Sequence, residues 1–249
     1  MADIDQRERD KKYNKWARYY PAIVNLVFPL IVIVYTFFDK INVPNNLPVT
    51  VSRIELITKI ILVFGSVIPA LFFFYVFFIR ELSMHVVERF LDGLLGKKTI
   101  NILKANNHTF SDDRKQAIKD KIMSDFKIEI PDESKNRWLF PKKTEFRIKA
   151  DEAIDRIREN TRQSAILFEY NCVYGFFRNL SGGLLFNLIA LAIMYLLKIQ
   201  LKDNLQVIIS CYRYIIPTIL LISLIFIRTS GYTYSKRLFI VFLDQKNKL

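Results

Sequence analysis

The chain combines a high apolar content with a high content of charge. Of its 249 residues, 51% are hydrophobic and 24% are charged, the mean hydropathy is +0.17 and the net charge is +13. This composition is typical of a membrane protein in which long apolar blocks alternate with basic polar segments. It excludes a disordered chain, a disulfide scaffold and a collagen-like repeat, and the presence of only 7 glycines excludes a glycine-rich nucleotide fold.

Four long apolar blocks predict transmembrane helices. They cover residues 22–38, 60–79, 180–197 and 205–227. Their lengths match the roughly 17 to 25 residues that cross a hydrocarbon core of about 30 Å. The first block competes with a secretory signal peptide, but acidic residues precede it and no small-residue cleavage site follows it. We therefore interpret it as an uncleaved anchor.

Basic residues alternate along the chain in step with four membrane crossings. Residues 1–21, 80–179 and 228–249 hold 6, 20 and 5 Lys and Arg side chains, whereas residues 39–59 and 198–204 hold 3 and 2. Because basic residues mark the cytoplasmic side of spans, both termini and the middle region are predicted to be cytoplasmic. The sequence thus predicts a multi-pass protein of the cell membrane.

These blocks predict an all-α integral membrane protein. Its four transmembrane helices form two hairpins, with a mainly helical cytoplasmic lobe between spans 2 and 3. The expected organisation is an N-terminal tail and first hairpin over residues 1–79, a cytoplasmic helical region over residues 80–179, and a second hairpin with a C-terminal tail over residues 180–249.

The middle region carries its own pattern of elements. Apolar positions at helical spacing predict that the second span continues as an amphipathic helix ending near Gly96. Ser111 is expected to cap a helix that runs to about Phe126. Residues 127–130 alternate like a short strand, and from about Ala150 one long helix is expected to run into the third span.

Charge balance indicates which partners to expect. Residues 80–179 hold 20 basic and 16 acidic side chains, a net charge of only +4. A nucleic-acid surface needs clustered positive charge with aromatic platforms, so no nucleic acid is expected. Anionic lipid headgroups, attracted by about 1 kcal/mol per basic residue near the surface, are the expected partner. We also expect a homo-oligomer and a cytoplasmic protein partner.

Residues that could carry chemistry are few. His85 and His108 lie far apart in sequence, and Cys172 and Cys211 have no nearby metal-ligating partner. The sequence contains no phosphate-binding loop, serine elbow or calcium loop. Carboxylates on the predicted helix after Ala150 are surrounded by arginines, which favours salt bridges over a metal site. We therefore predict no catalytic residue, no metal, no cofactor and no enzymatic activity.

Arg213 is the one charged residue inside a predicted span. It lies 14 residues before Ile227, about 21 Å at 1.5 Å per residue. An ionisable residue within a span is a functional-site candidate by default, with snorkelling to the outer headgroups as the alternative. Glu55 is its candidate partner, because it takes the matching position when residues 46–62 are aligned with residues 204–220.

Three further features concern how the spans pack. Asn187 is a polar residue within the third span that could hydrogen-bond across helices. Gly182 and Gly183 are candidates for a hinge where the third span begins, with tight packing as the alternative. A face of small residues, suited to close approach of another helix, is formed by Ser66, Pro69 and Ala70.

These features predict a membrane effector or channel-like element that is gated by its cytoplasmic lobe. The plan is similar to that of small bacterial membrane effectors of anti-phage defence, an analogy of architecture with no shared motif. The main alternative is a non-conducting scaffold or regulator that recruits a cytoplasmic partner through residues 80–179. A membrane-bound enzyme and a transporter are weaker alternatives, since one charge within four spans offers little to bind a substrate.

Overall fold

The structure, a computed structural model, describes residues 2–39, 57–58, 61–95, 97–131, 144–197 and 203–245. Within these ranges the chain is helical and contains no strand, which confirms the prediction of an all-α protein. The helical segments are α1 (residues 2–39), α2 (residues 63–95), α3 (Lys98–Leu103), α4 (Asp112–Phe126), α5 (Glu145–Asn160), α6 (Ala165–Leu196) and α7 (Asp203–Asp244).

Four of these helices are long and apolar enough to cross a membrane. The qualifying segments are Gln6–Tyr35, Phe64–Asp92, Ala165–Leu196 and Gln206–Asp244. Each exceeds the roughly 20 residues that a hydrocarbon core requires. The prediction of four helices that are long and apolar enough to cross a membrane is therefore confirmed.

Helices α1 and α2 contain turns of π-helix. These turns cover Asn14–Tyr19 in α1, and Val63–Val67, Phe74–Phe78 and Ser83–Glu88 in α2. A π-turn inserts an extra residue into the helical repeat and re-aims the side chains around it, which is why such turns are frequent at functional sites. Two buried polar residues, Tyr75 and Ser83, lie in the π-turns of α2.

The chain forms two compact units. Unit 1 consists of Met1–His85 and Gly175–Ile225, and unit 2 of Val86–Tyr174 and Phe226–Leu249. The C-terminal residues of α7, which were predicted to belong with the second hairpin, thus belong to unit 2 together with residues 86–174.

Unit 1 packs parts of α1, α2, α6 and α7 around apolar side chains, and it also leaves large apolar side chains exposed. Phe73, Phe77, Tyr195 and Tyr214 are each more than half exposed. An apolar surface of this kind is unfavourable in water and suits contact with lipid. The two hydrophobic clusters of unit 1 contain the buried residues Ala22, Leu26, Phe28, Tyr75, Val76, Ile79, Leu180, Leu184, Leu191 and Ile216.

Unit 2 has a separate hydrophobic core. Helices α3, α4 and α5 contribute their apolar faces to it, and the last turns of α7 complete it. Full burial of several large side chains gives this unit most of its stability. The large side chains that are fully buried in it include Ile100, Ile102, Ile118, Ile122, Ile154, Ile157, Leu238, Phe239 and Phe242.

The predicted strand over residues 127–130 is wrong. Lys127 adopts a left-handed conformation, with φ of 59°, and ends α4. Ile128 and Ile130 still pack against the core of unit 2, which explains their alternation, but no neighbouring strand in the described ranges offers their backbone a partner. Ser111 does precede α4, as predicted, although its hydroxyl makes no capping hydrogen bond.

The predicted single helix from Ala150 into the third span is also wrong, because a turn separates α5 from α6. The Thr161 hydroxyl donates to the Ile157 carbonyl at 2.7 Å, and the Ser164 hydroxyl accepts from the Leu167 amide at 3.4 Å. These side chains satisfy backbone groups at the two helix ends, which stabilises a break where apolar periodicity alone would continue the helix.

Candidate functional site

In the described part of unit 1, seven polar side chains are buried among the apolar helices. None of them is more than 5% exposed. Burying a polar group without a hydrogen bond is unfavourable, and polar groups inside a membrane span commonly mark function. We call this set the polar seam, and it consists of Asn25, Tyr75, Ser83, Asn179, Ser181, Asn187 and Ser223.

Asn187 joins three helices. Its side-chain Nδ2 donates to the backbone carbonyl of Asn25 at 2.9 Å, and its Oδ1 accepts a short hydrogen bond from the Tyr75 hydroxyl. Asn187 on α6 is thereby bonded to α1 and to α2. This is the kind of interhelical bond for which the residue was singled out in the sequence.

Two other asparagines tie α1 to α6. The Asn25 Nδ2 donates to the carbonyls of Pro21 at 2.9 Å and Leu180 at 3.3 Å. The Asn179 Nδ2 donates to the carbonyl of Ala17 at 2.5 Å. Within the described part of the chain, the Oδ1 atoms of Asn25 and Asn179 are buried without a hydrogen-bond partner. Both oxygens are therefore available to accept a bond from water or from a cation.

Serine hydroxyls extend the polar seam to α7 and α2. Ser181 and Ser223 share a hydrogen bond at 2.6 Å between their Oγ atoms, which links α6 to α7. Ser83 donates to the carbonyl of Ile79 in its own helix at 2.8 Å. All four helices that are long enough to cross a membrane thus contribute to the polar seam.

Gly182 and Gly183 lie where the polar seam is most tightly packed. A Cβ atom at Gly182 would lie 1.7 Å from the Ser83 Oγ, and one at Gly183 would lie 2.2 Å from the Asn25 Nδ2. Both positions therefore require glycine for the approach of α2 and α1 to α6. Helix α6 runs unbroken through them. Tight packing at the two glycines thus has a structural basis, whereas their role as a hinge stays a prediction.

The remaining sequence candidates that the structure describes do not join the polar seam. Arg213 is exposed. Its guanidinium lies 5.3 Å from the centre of the Tyr214 ring, and its Nη2 donates to the Tyr214 hydroxyl at 3.2 Å. This arrangement fits the snorkelling alternative. Glu55, the proposed partner of Arg213, lies outside the described residues. The three small residues proposed for helix packing, Ser66, Pro69 and Ala70, are exposed on α2.

Sequence reasoning missed most of the polar seam. Asn25 interrupts an apolar block in the same way as Asn187, so the same signal could have identified it. Tyr75 sits in a run of phenylalanines and reads as one more apolar aromatic. Only the helix packing reveals that its hydroxyl faces Asn187.

A second polar cluster lies in unit 2. The Lys98 Nζ donates to the carbonyl of Ile227 at 2.7 Å and lies 5.1 Å from the centre of the Tyr174 ring, whose hydroxyl donates to Glu88 at 2.8 Å. Burial, and then the positive charge of Arg228, lower the pKa of Lys98 to about 8. Its amine can therefore exchange a proton near neutral pH.

A comparison of the chain with known protein families, with characterised proteins and with solved structures finds no match. In the described ranges, no three His, Cys, Asp or Glu side chains are grouped as metal ligands would be. The candidate functional site is therefore the polar seam, a set of uncharged hydrogen-bonding groups enclosed by an apolar bundle.

Proposed function

We propose that the protein is a gated membrane-permeabilising element. Its four spans cross a cell membrane as two hairpins, with both termini and unit 2 on the cytoplasmic side. The observation that carries the proposal is the polar seam, which lies within a bundle whose outer surface is apolar. A role as an effector of bacterial anti-phage defence is proposed on the analogy of architecture alone.

Weak interhelical bonds suit the polar seam to gating. Hydrogen bonds between uncharged side chains in membrane proteins contribute about 0.6 kcal/mol on average and at most about 1.7 kcal/mol. Bonds such as those of Asn187 to Asn25 and Tyr75 can therefore be exchanged for bonds to water when the helices separate. Amides and hydroxyls would then line the opened path, whereas a purely apolar interior would exclude water.

Tight packing at the glycines supports a closed arrangement in the absence of a trigger. Gly182 and Gly183 allow α1 and α2 to approach α6 so closely that a single added methyl group would collide with Ser83 or Asn25. Helices α2, α6 and α7 contribute residues to both units. A ligand or partner that binds unit 2 can therefore shift helices that carry the polar seam, which is a common route for gating.

The proposed orientation can be tested by labelling introduced cysteines in a variant that also carries Cys211→Ser, in which the remaining native cysteine, Cys172, is buried. We expect a membrane-impermeant maleimide to label Ser124→Cys, an exposed position of unit 2, only after the membrane is permeabilised. Asn46→Cys, in the predicted outer segment, is the matched control and should label in intact cells. Labelling of Ser124→Cys in intact cells would contradict the orientation.

Permeation itself is tested by replacing the central residue of the polar seam. Asn187→Leu removes an amide that would bond to water in the opened path, and one such hydrogen bond contributes about 0.5 to 1.5 kcal/mol. We expect the ion or dye flux after induced expression to fall about tenfold, since about 1.4 kcal/mol corresponds to a tenfold change in rate. The measurement is depolarisation of cells, or dye uptake, at matched protein levels.

Asn171→Leu is the matched control, because Asn171 is an exposed asparagine on the same helix. Its flux should equal that of the unsubstituted protein. The proposal fails if expression leaves membranes intact under every trigger, or if the two leucine variants reduce flux equally.

A non-conducting scaffold is the second candidate. Unit 2 has its own hydrophobic core and also exposes Phe90, Met123 and Ile148, which are apolar side chains that a protein partner could cover. Under this alternative a stoichiometric partner co-purifies with the full-length chain, and no flux accompanies its expression.

A further inference from the structure

An arginine stands at the proposed inner end of each of the first three apolar blocks. Arg18 is the last charged residue before the first block, Arg80 the first after the second, and Arg178 the last before the third. Charged side chains that flank an apolar run lie at the boundary between hydrocarbon and headgroups. The three arginines therefore share one level of the proposed membrane, the level of the lipid phosphates.

Close packing of α1 on α6 brings Arg18 and Arg178 to the same place. The neighbour of Arg178, Asn179, donates its side-chain amide to the carbonyl of Ala17, the neighbour of Arg18, at 2.5 Å. One turn earlier, a Cβ at Gly175 would lie only 2.8 Å from the Ala17 Cβ. The backbones of the two helices thus approach closely at this level.

Helix α2 brings Arg80 to the same level. The carbonyl of Ile79, the residue before Arg80, would lie 3.2 Å from a Cβ at Gly182, one turn along α6 from Arg178. The charges of both Arg80 and Arg178 act on Arg18 and oppose its own charge. Three helices of unit 1 therefore converge with one arginine each.

This convergence places three positive charges in partly buried surroundings. All three side chains are half-buried, and the Nε atom of Arg18 is buried with no hydrogen-bond partner in the described part of the chain. Arg80 has a carboxylate neighbour, with its Nη1 3.7 Å from the Glu81 Oε1. No carboxylate is among the described groups with the largest effect on the Arg18 charge. Like charges held together out of water favour the binding of an anion.

We propose that Arg18, Arg80 and Arg178 form a binding site for a phosphate group at the inner boundary of the membrane. Guanidinium groups present planar, forked donors that match phosphate oxygens bidentately, and a phosphate offers enough oxygens to engage three of them. Two sources share this chemistry, the headgroup of an anionic lipid and a soluble phosphate compound. The level of the three arginines favours the lipid.

The test measures binding to the full-length purified protein. We reconstitute it in nanodiscs of phosphatidylcholine with or without phosphatidylglycerol and record thermal unfolding, with retained lipid counted by native mass spectrometry. Phosphatidylglycerol is expected to raise the Tm of the unsubstituted protein, because a ligand that binds only the folded state stabilises it. Arg18→Gln and Arg178→Gln should each weaken this binding about fivefold, the usual contribution of one basic side chain near an anionic surface.

Arg7→Gln is the matched control, since it removes the same charge from an exposed position of the same helix α1. A soluble arm adds inorganic pyrophosphate to phosphatidylcholine nanodiscs. A lipid source is supported if phosphatidylglycerol stabilises the Arg7→Gln variant but not the Arg18→Gln variant. A soluble source is supported if pyrophosphate gives this pattern.

The proposal is overturned if neither anion stabilises the unsubstituted protein, or if Arg18→Gln and Arg7→Gln lose equal amounts of binding. The first of these results is measured on the unsubstituted protein alone. The proposal can therefore be overturned even if no variant folds. Unfolding in phosphatidylcholine alone shows which variants fold. The readout is binding, so its outcome is separate from that of the proposed permeation.

Discussion

Replacing Phe242 with alanine is expected to destabilise unit 2 by about 3 to 5 kcal/mol, the usual cost of truncating a buried aromatic side chain. Phe242 is 0% exposed. Its ring stacks on Phe126 of α4 with a centroid distance of 5.7 Å, and the Lys121 Nζ lies 5.4 Å from the ring centre. Truncation would leave a cavity between α4 and the end of α7, and the surrounding helices can close it only in part.

Phe90→Ala is the matched control, because Phe90 also belongs to unit 2 but is 65% exposed. Its effect should stay within about 0.5 kcal/mol, as for most surface substitutions. Denaturant unfolding followed by hydrogen exchange in α4 measures both variants. Equal exchange in Phe242→Ala and in the unsubstituted protein would contradict the assignment of the last turns of α7 to the core of unit 2.

Replacing either glycine of the polar seam with alanine is expected to destabilise unit 1 by about 1 to 3 kcal/mol, as overpacking in a close-packed interior usually does. In Gly183→Ala the new methyl group would lie 2.2 Å from the Asn25 Nδ2. The Asn25 amide must then move and lose its bonds to Pro21 and Leu180. Gly182→Ala meets the Ser83 hydroxyl at 1.7 Å. Thermal unfolding in detergent or nanodiscs measures the loss.

Gly65→Ala is the control for these two variants. Among the described residues, a Cβ at Gly65 would meet only the Ile61 Cγ2, at 4.0 Å, so the substitution should leave stability unchanged or raise it slightly. The same experiment separates packing from a hinge. If the glycines act as a hinge, flux will fall in Gly182→Ala and Gly183→Ala. The free energy of unfolding of these two variants will then equal that of Gly65→Ala.

The spans could be predicted from sequence because crossing a bilayer depends on local composition. A run of about 20 apolar residues is sufficient to assign a span, and the four blocks correspond to the four helices found. The continuation of the second span to Leu95 followed from helical periodicity in the same way. Asn187 stood out because a lone amide within an apolar block needs a partner.

The breaks and partners were not predictable by the same means. The turn at Thr161 and Ser164 depends on side-chain bonds to backbone groups, which periodicity does not report. Residues 127–130 alternate like a strand, but a strand requires a neighbouring strand, and the alternation arises from Ile128 and Ile130 meeting the core of unit 2. Leu238, Phe239 and Phe242 looked like a tail after the last span, whereas they are fully buried in that core.

By itself, the sequence determined that this is a helical protein with four segments able to cross a membrane, because apolar length is a local property. Only the tertiary structure decided which polar groups meet. The bonds of Asn187 to Asn25 and of Asn25 to Leu180 join residues 162 and 155 positions apart. It also decided that Gly182 and Gly183 are sites of close approach. The physical reason is that hydrogen-bond partners and van der Waals contacts between helices are set by packing, and residues distant along the chain carry no local sign of it.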